Sequence, residues 1–227
     1  MDERRDRGNK MVKLYVEGGG DSQLLKTTCR QGFSEFLGKA GLVGHMPRVV
    51  AGGSRNRAFD MFCTAIQAGE PALLLVDSEE AIKPASQPGN AALAADRALW
   101  KPWVHLKQRV GDGWSMPEGS EDGQCHLMVQ CMESWLLADR DVLSGFFKQG
   151  FKPAALPALS RVIEGLDKPL IYQALARATS DCKTKAIYGK GDHSFKLLAL
   201  IDPAKVFSAS PWAQRFIETV QLRMEQA

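Results

Sequence analysis

Hydrophobic positions in the first third of the chain switch between two periods. Residues 11–16 (MVKLYV) form a β-rich run that stops at Glu17 and three glycines, the pattern of a strand and a tight turn. Beyond it Leu24, Leu25, Thr28, Cys29, Phe33, Phe36, Leu37 and Ala40 recur at helical spacing. Asp21 or Ser22 is the predicted N-cap, and Gly41 and Gly44 mark the end. Residues 47–51 (PRVVA) predict a second strand. Gly52 and Gly53 turn the chain, and Ser54 caps a helix with Ala58, Phe59, Phe62, Cys63 and Ile66 on its apolar face. After Gly69 and Pro71, residues 72–76 (ALLLV) are continuously apolar, as in a strand buried on both faces of a parallel sheet. That run ends in Asp77-Ser78-Glu79-Glu80.

Strand, helix, strand, helix, strand in units of this length predicts an α/β fold, a mostly parallel sheet flanked by helices with right-handed crossovers. The strand C-termini then share one edge, where open α/β sheets carry their sites. Residues 80–124 are less regular. They contain an Ala-rich helical stretch at 90–99 and a turn-rich segment with Trp103 and Trp114, and read as an insertion overhanging the site edge. Residues 125–129 supply a fourth strand, passing into a helix that carries MESWLLAD. Helices follow at 142–147, 170–178, 194–200 and 211–224, the last with Trp212, Phe216, Val220 and Met224 on one face. The expected organisation is an α/β domain over residues 1–140 and a helical C-terminal part, 141–227, packed on it.

Composition adds little to this picture and contradicts none of it. Of 227 residues, 44% are hydrophobic and 24% charged, enough for a sizeable core. A net charge of +3 does not by itself imply a nucleic-acid partner, because such binders often carry their charge in a patch. The five cysteines form no CxxC pair, which fits a reducing compartment, and Cys29 and Cys63 read as small core residues. No apolar run reaches the length of a membrane span, and the charged start MDERRDRGNK lacks the apolar segment of a secretory signal. The expectation is a cytoplasmic protein with no membrane association.

The chemistry-bearing residues are acids. Glu17 ends the first strand, and Asp77 and Glu79 end the third. Positions i and i+2 of a strand point to one side, so Asp77 and Glu79 are expected to face one ion together. Oxygen ligands without Cys or His favour Mg²⁺ or Mn²⁺ over Zn²⁺. Strand-end acids are often helix caps or surface charges, but here three converge at the functional edge beside Gly18-Gly19-Gly20. That glycine run matches neither the dinucleotide nor the P-loop pattern, and Glu17 would repel a bare phosphate.

VEGGGD after one strand and LLLVDSE after a βα unit resemble the TOPRIM domain. Topoisomerases, bacterial primases, small maturation ribonucleases and nucleases of the overcoming-lysogenization-defect class share that domain. Over nearly the whole chain, including GSRN, HLMVQCMESWLLAD and GKGDHSF, the sequence resembles an uncharacterised bacterial family of TOPRIM-like proteins. That family is often encoded beside an ATPase and is associated with anti-phage defence. The resemblance implies a TOPRIM/Rossmann-like sheet, Glu17 as general base or acid, and Asp77 and Glu79 as metal ligands. The chain departs from the pattern in having Glu79 where the TOPRIM pair has a second Asp, and Asp21 fits the usual further acid only loosely.

Other residues carry weaker signals. Glu133 is a further metal ligand, an acid that supports the ligands without binding the ion, or an exposed helical glutamate. Asp139 is expected to cap the helix starting near Asp141. Arg55 and Arg57 lie near the site edge as candidate phosphate contacts, or as solvated surface charges. Lys183, Lys185, Lys190 and His193 form the best basic patch, with Tyr188 available to stack on a base. His193 has the alternative of simply starting a helix. His126 reads as core, and Trp100, Trp103 and Trp114 as packing for the insertion. The function expected is a Mg²⁺- or Mn²⁺-dependent phosphodiesterase acting on DNA or RNA, the effector of a defence system. The alternatives are a non-catalytic binding or regulatory subunit of a partner ATPase, and a nucleotide-handling phosphotransferase.

Overall fold

In the computed structural model, which describes residues 11–158 and 162–225, four parallel strands form one sheet in the order β2-β1-β3-β4. They are β1 (Lys13–Gly19), β2 (Arg48–Gly53), β3 (Ala72–Asp77) and β4 (Cys125–Met128). The predicted α/β architecture is therefore present, with all strand C-termini at one edge. Helix α1 (Gln23–Leu37) joins β1 to β2, and α2 (Arg55–Gln67) joins β2 to β3. Their caps are Ser22, whose side chain accepts from Leu25 N–H, and Ser54, which accepts from Arg57 N–H. The segment after β3 holds two short helices, α3 (Ala91–Ala94) and α4 (Pro102–Gln108). The C-terminal part contains α5 (Glu133–Leu136), α6 (Arg140–Phe147), α7 (Lys168–Thr179), α8 (Lys190–Leu198), α9 (Pro203–Ala209) and α10 (Pro211–Glu225).

Strand alternation divides the core into two layers. Leu14, Val16, Leu73 and Leu75 face one side, where Phe33, Phe36, Trp135, Leu175, Phe195 and Phe216 bury them. Tyr15, Leu74 and Val76 face the other, against Phe62, Trp103, Leu106 and Trp212. Each such side chain, fully buried, contributes about 1.5–3 kcal/mol, so the continuous apolar run of β3 is an anchor on both faces. The C-terminal helices are integral to this core: α8 packs on α1, and α10 lies against β4.

Three expectations need correction. The Ala-rich stretch is broken into α3 and a separate 3-10 turn at Arg97–Leu99, with Asn90 and Asp96 as caps. Residues 203–209 form a helix that periodicity did not indicate, starting at a proline after the cap Asp202. The insertion mostly covers one sheet face, because Trp100, Trp103 and Leu106 are buried there. The turn holding Asp112 and Trp114 reaches the site edge, where both touch Arg55, and His105 of α4 reaches the Ser78 carbonyl beneath it. Among the described residues, no helix is long and apolar enough to cross a membrane.

Candidate metal centre

The tight turn after β1 has a packing cause. Gly18 and Gly19 take φ of +131° and +87°, and an added Cβ would lie 2.6 Å from the Phe195 ring or 2.8 Å from Lys26 Cα. Glycine therefore lets α1 and α8 close on the strand end and brings Glu17 to the sheet edge. β1 and β3 are neighbours in the sheet, with Val16 opposite Leu75. Glu17 Oε2 accepts the backbone N–H of Asp77 at 3.1 Å. By strand alternation Glu17 points with Tyr15 and Asp77 with Leu75, so the two acids approach from opposite faces.

Glu79 reaches the same point by a different route from the expected one. Strand geometry ends at Asp77, and Glu79 sits at φ +66°. Gln130 is at +61°, and Glu79 N–H donates to the Gln130 carbonyl at 3.0 Å. Gln130 N–H in turn donates to Ser78 Oγ at 2.8 Å. Two non-glycine residues held in the left-handed region cost about 1–3 kcal/mol each, and such strain clusters at functional sites. His105, buried in α4, supports this turn. Its Nδ1 accepts Lys83 N–H at 3.3 Å, which leaves the proton on Nε2 to donate to the Ser78 carbonyl at 2.9 Å.

Glu17, Asp77 and Glu79 each offer a carboxylate oxygen, and the three oxygens lie within 4.8 Å of one another. Three carboxylate oxygens at this separation could supply part of the six-oxygen shell of a Mg²⁺-sized ion, with water or a substrate oxygen supplying the rest. Asp77 is the buried member. Burial first, then the Glu17 and Glu133 carboxylates, push its pKa up to about 8 against the pull of Lys168 and Lys190. Burial likewise raises Glu17, with Arg55 opposing. The oxygen-only donors and their mutual repulsion fit a divalent cation.

Two lysines already offset that charge. Lys168 Nζ donates to Glu79 Oε1 at 2.7 Å and to Asp77 Oδ2 at 3.2 Å. Lys190 Nζ lies 3.9 Å from Asp77 Oδ2. Lys168 had no sequence signal beyond being a lysine beside a proline at a helix start. It comes from α7, far along the chain.

The remaining predicted residues are dispersed. Glu133 is fully buried, not exposed, and lies outside the close trio: Tyr172 O–H donates to its Oε2 at 2.9 Å, and Ser194 O–H to its Oε1 at 3.0 Å. Arg55 is 3.9 Å from Glu17 Oε2, but its guanidinium is engaged by Asp112 at 2.9 Å and stacked on Trp114. Arg57 and Lys183 are exposed. Lys185 Nζ lies over the Phe146 ring. His193 is buried, its Nδ1 accepting Gly189 N–H at 3.0 Å and its ring packed on Phe147. Tyr188 is buried as well, so it is not available to stack on a base. Asp139 caps α6 as expected and also pairs with Lys205 at 2.6 Å. His126 is core as expected, its Nδ1 accepting from Arg215 at 3.1 Å.

A model of a domain of unknown function, DUF4276, matches residues 16–221, almost the whole described chain. The chain belongs to the DUF4276 family. The matched span runs from within β1 into α10, so it contains the acidic trio and both lysines. No curated protein and no solved structure matches the chain.

Proposed function

We propose that this DUF4276 protein is a divalent-metal-dependent phosphodiesterase acting on DNA or RNA. The observation that carries the reading is the convergence of Glu17, Asp77 and Glu79 oxygens within 4.8 Å at the C-terminal edge of a parallel sheet. These three residues would hold Mg²⁺ or Mn²⁺, hard cations that take oxygen ligands. When bound, such an ion polarises a phosphoryl oxygen and offsets charge on the leaving group. Glu17 is the candidate general base, a role its place beside Asp77 N–H at the sheet edge and the TOPRIM-like resemblance support. Lys168 and Lys190 bring positive charge to the same edge, suited to a phosphate that gathers charge during displacement. Exposed Arg57 and Lys183 are available for sequence-independent backbone contacts. By its TOPRIM-like resemblance, the proposal extends to the effector of a defence system working with an ATPase.

One observation favours a second reading. Lys168 bonds both Asp77 and Glu79, so the acids are partly neutralised without any metal. That arrangement suits a non-catalytic binding or regulatory subunit of an ATPase. Cleavage of DNA and RNA is to be assayed with Mn²⁺ and with EDTA, for the wild type, Glu17→Gln and Asp77→Asn, alongside a Mn²⁺ titration. The enzyme reading expects metal uptake and cleavage abolished by EDTA and reduced at least about 100-fold by either substitution. Cleavage that persists in both variants, or no Mn²⁺ uptake by the wild type, sinks it.

A further inference from the structure

Beside the acidic trio lies a second buried carboxylate whose partners are hydroxyls. Glu133 opens α5 and is fully buried. Tyr172 O–H donates to Oε2 at 2.9 Å. Ser194 O–H donates to Oε1 at 3.0 Å, and Tyr188 O–H lies 3.4 Å from the same oxygen. Tyr188 and Ser194 are themselves 2.7 Å apart. Burial, with Glu133 adding to it, pushes both tyrosine hydroxyls up, so they act as neutral donors.

The positions of these hydroxyls in their helices matter. Tyr172 lies one turn after Lys168 on α7, and Ser194 one turn after Lys190 on α8. Side chains four apart share a helix face. On each helix, then, the lysine reaches Asp77 while the hydroxyl one turn later reaches Glu133. The two carboxylates are also tied through the backbone. Met132, immediately before Glu133, donates its N–H to Asp77 Oδ1 at 2.8 Å. A lysine ammonium on a flexible stem is poorly directed by itself, so something must fix the start of each helix.

We propose that Glu133 is a positioning residue: through Tyr172 and Ser194 it holds α7 and α8 so that Lys168 and Lys190 are aimed at Asp77. The chemical use of that aim rests on the metal-centre reading, whereas the aim itself is a matter of geometry. Removing the carboxylate frees both helix starts together. Removing one hydroxyl frees one.

The test is labelling of the full-length, metal-free protein with an amine-reactive ester, read lysine by lysine by mass spectrometry. In Glu133→Gln, Lys168 and Lys190 are expected to label several-fold faster than in the wild type. Lys13, paired with Glu70 in β1, and Lys205, paired with Asp139, are expected to keep their rates. Tyr172→Phe is expected to speed labelling of Lys168 selectively, and Ser194→Ala that of Lys190, which is already about half exposed and would lose its ion pair with Asp77. Unchanged Lys168 and Lys190 rates in a Glu133→Gln protein with a wild-type unfolding midpoint overturn the proposal. So does a uniform rise across all lysines, which marks general loosening. If Glu133→Gln does not fold, the two hydroxyl variants decide by the same pattern, and loss of helix selectivity overturns the proposal. A Mn²⁺ titration run in parallel separates the two ideas: a wild type that takes up no Mn²⁺ removes the metal reading, while the labelling pattern still decides the positioning.

Discussion

Asp77 is buried beside two acids, and the arrangement carries a measurable cost. Its folded pKa, about 8, stands above the ordinary 3.8. The folded chain therefore keeps a proton that the unfolded chain releases between those values. The corresponding stability is complete below 3.8 and is lost as pH rises to about 8. Each pH unit in that window costs roughly 1.4 kcal/mol. Asp77→Asn removes this part of the dependence and leaves that of Glu17, which burial also raises. In metal-free urea unfolding, the wild type should lose stability from about pH 6 to about pH 8, and the variant should lose at least ~1 kcal/mol less. Parallel pH profiles for the two proteins would contradict the burial argument. Mn²⁺ should then raise the wild-type midpoint and leave that of Asp77→Asn unmoved, because a ligand stabilises only the state that binds it. A site that destabilises its own fold when empty of cation is expected where function outweighs stability.

At the scale of elements, the turn after β1 is where packing and chemistry meet. Gly19→Ala meets two penalties: a left-handed backbone at φ +87° and a contact of 2.8 Å with Lys26 Cα, an atom of the helix backbone. Together these should cost about 2–4 kcal/mol. Gly41 supplies the control. It has φ +93° but nothing within 4 Å of an added Cβ, so Gly41→Ala should cost only the conformational part, about 1–2 kcal/mol. Denaturant midpoints of the two variants check this, and equal losses would remove close packing as the reason for the glycine run. The Glu79–Gln130 turn shows the limit of periodicity. Alternation correctly placed the two acids together, yet the strand had already ended, and a strained turn bonded to the segment after β4 does the placing.

For the whole molecule, Arg215 joins parts of the chain that share no local signal. It is almost fully buried on α10, and its guanidinium donates to the carbonyls of Arg97, Trp100, Asp122 and Cys125 at 2.7–3.4 Å. One side chain thus binds the insertion and β4 to the C-terminal helix. Arg215→Met fits the space but removes those donors, leaving the Arg97 carbonyl only Trp100 N–H and the Asp122 carbonyl only Cys125 N–H, and should cost about 3 kcal/mol or more. Hydrogen exchange should then rise first in residues 97–124. Unchanged protection there would show that the buried tryptophans, not the arginine, hold the insertion. The same long-range assembly explains why the helical C-terminal part cannot be set apart from the site: it delivers both lysines and the Glu133 cluster's hydroxyls.

The sequence by itself determined the parallel α/β sheet, its helix caps and the convergence of Glu17, Asp77 and Glu79. These follow from short-range rules: the period of apolar residues, the residues that cap and turn, and the shared edge of parallel strands. It also placed Asp139 and His126 correctly. Only the tertiary structure decided what surrounds the acids. Lys168 and Lys190 come from helices more than 90 and 110 residues beyond Asp77, and no local pattern marks a lysine that will meet a carboxylate across such a span. Glu133, Tyr188 and His193 read as surface or ligand candidates because polar residues are exposed by default. Packing of α7 and α8 over the sheet edge buried them, so that Glu133 meets Tyr188 while His193 accepts Gly189 N–H.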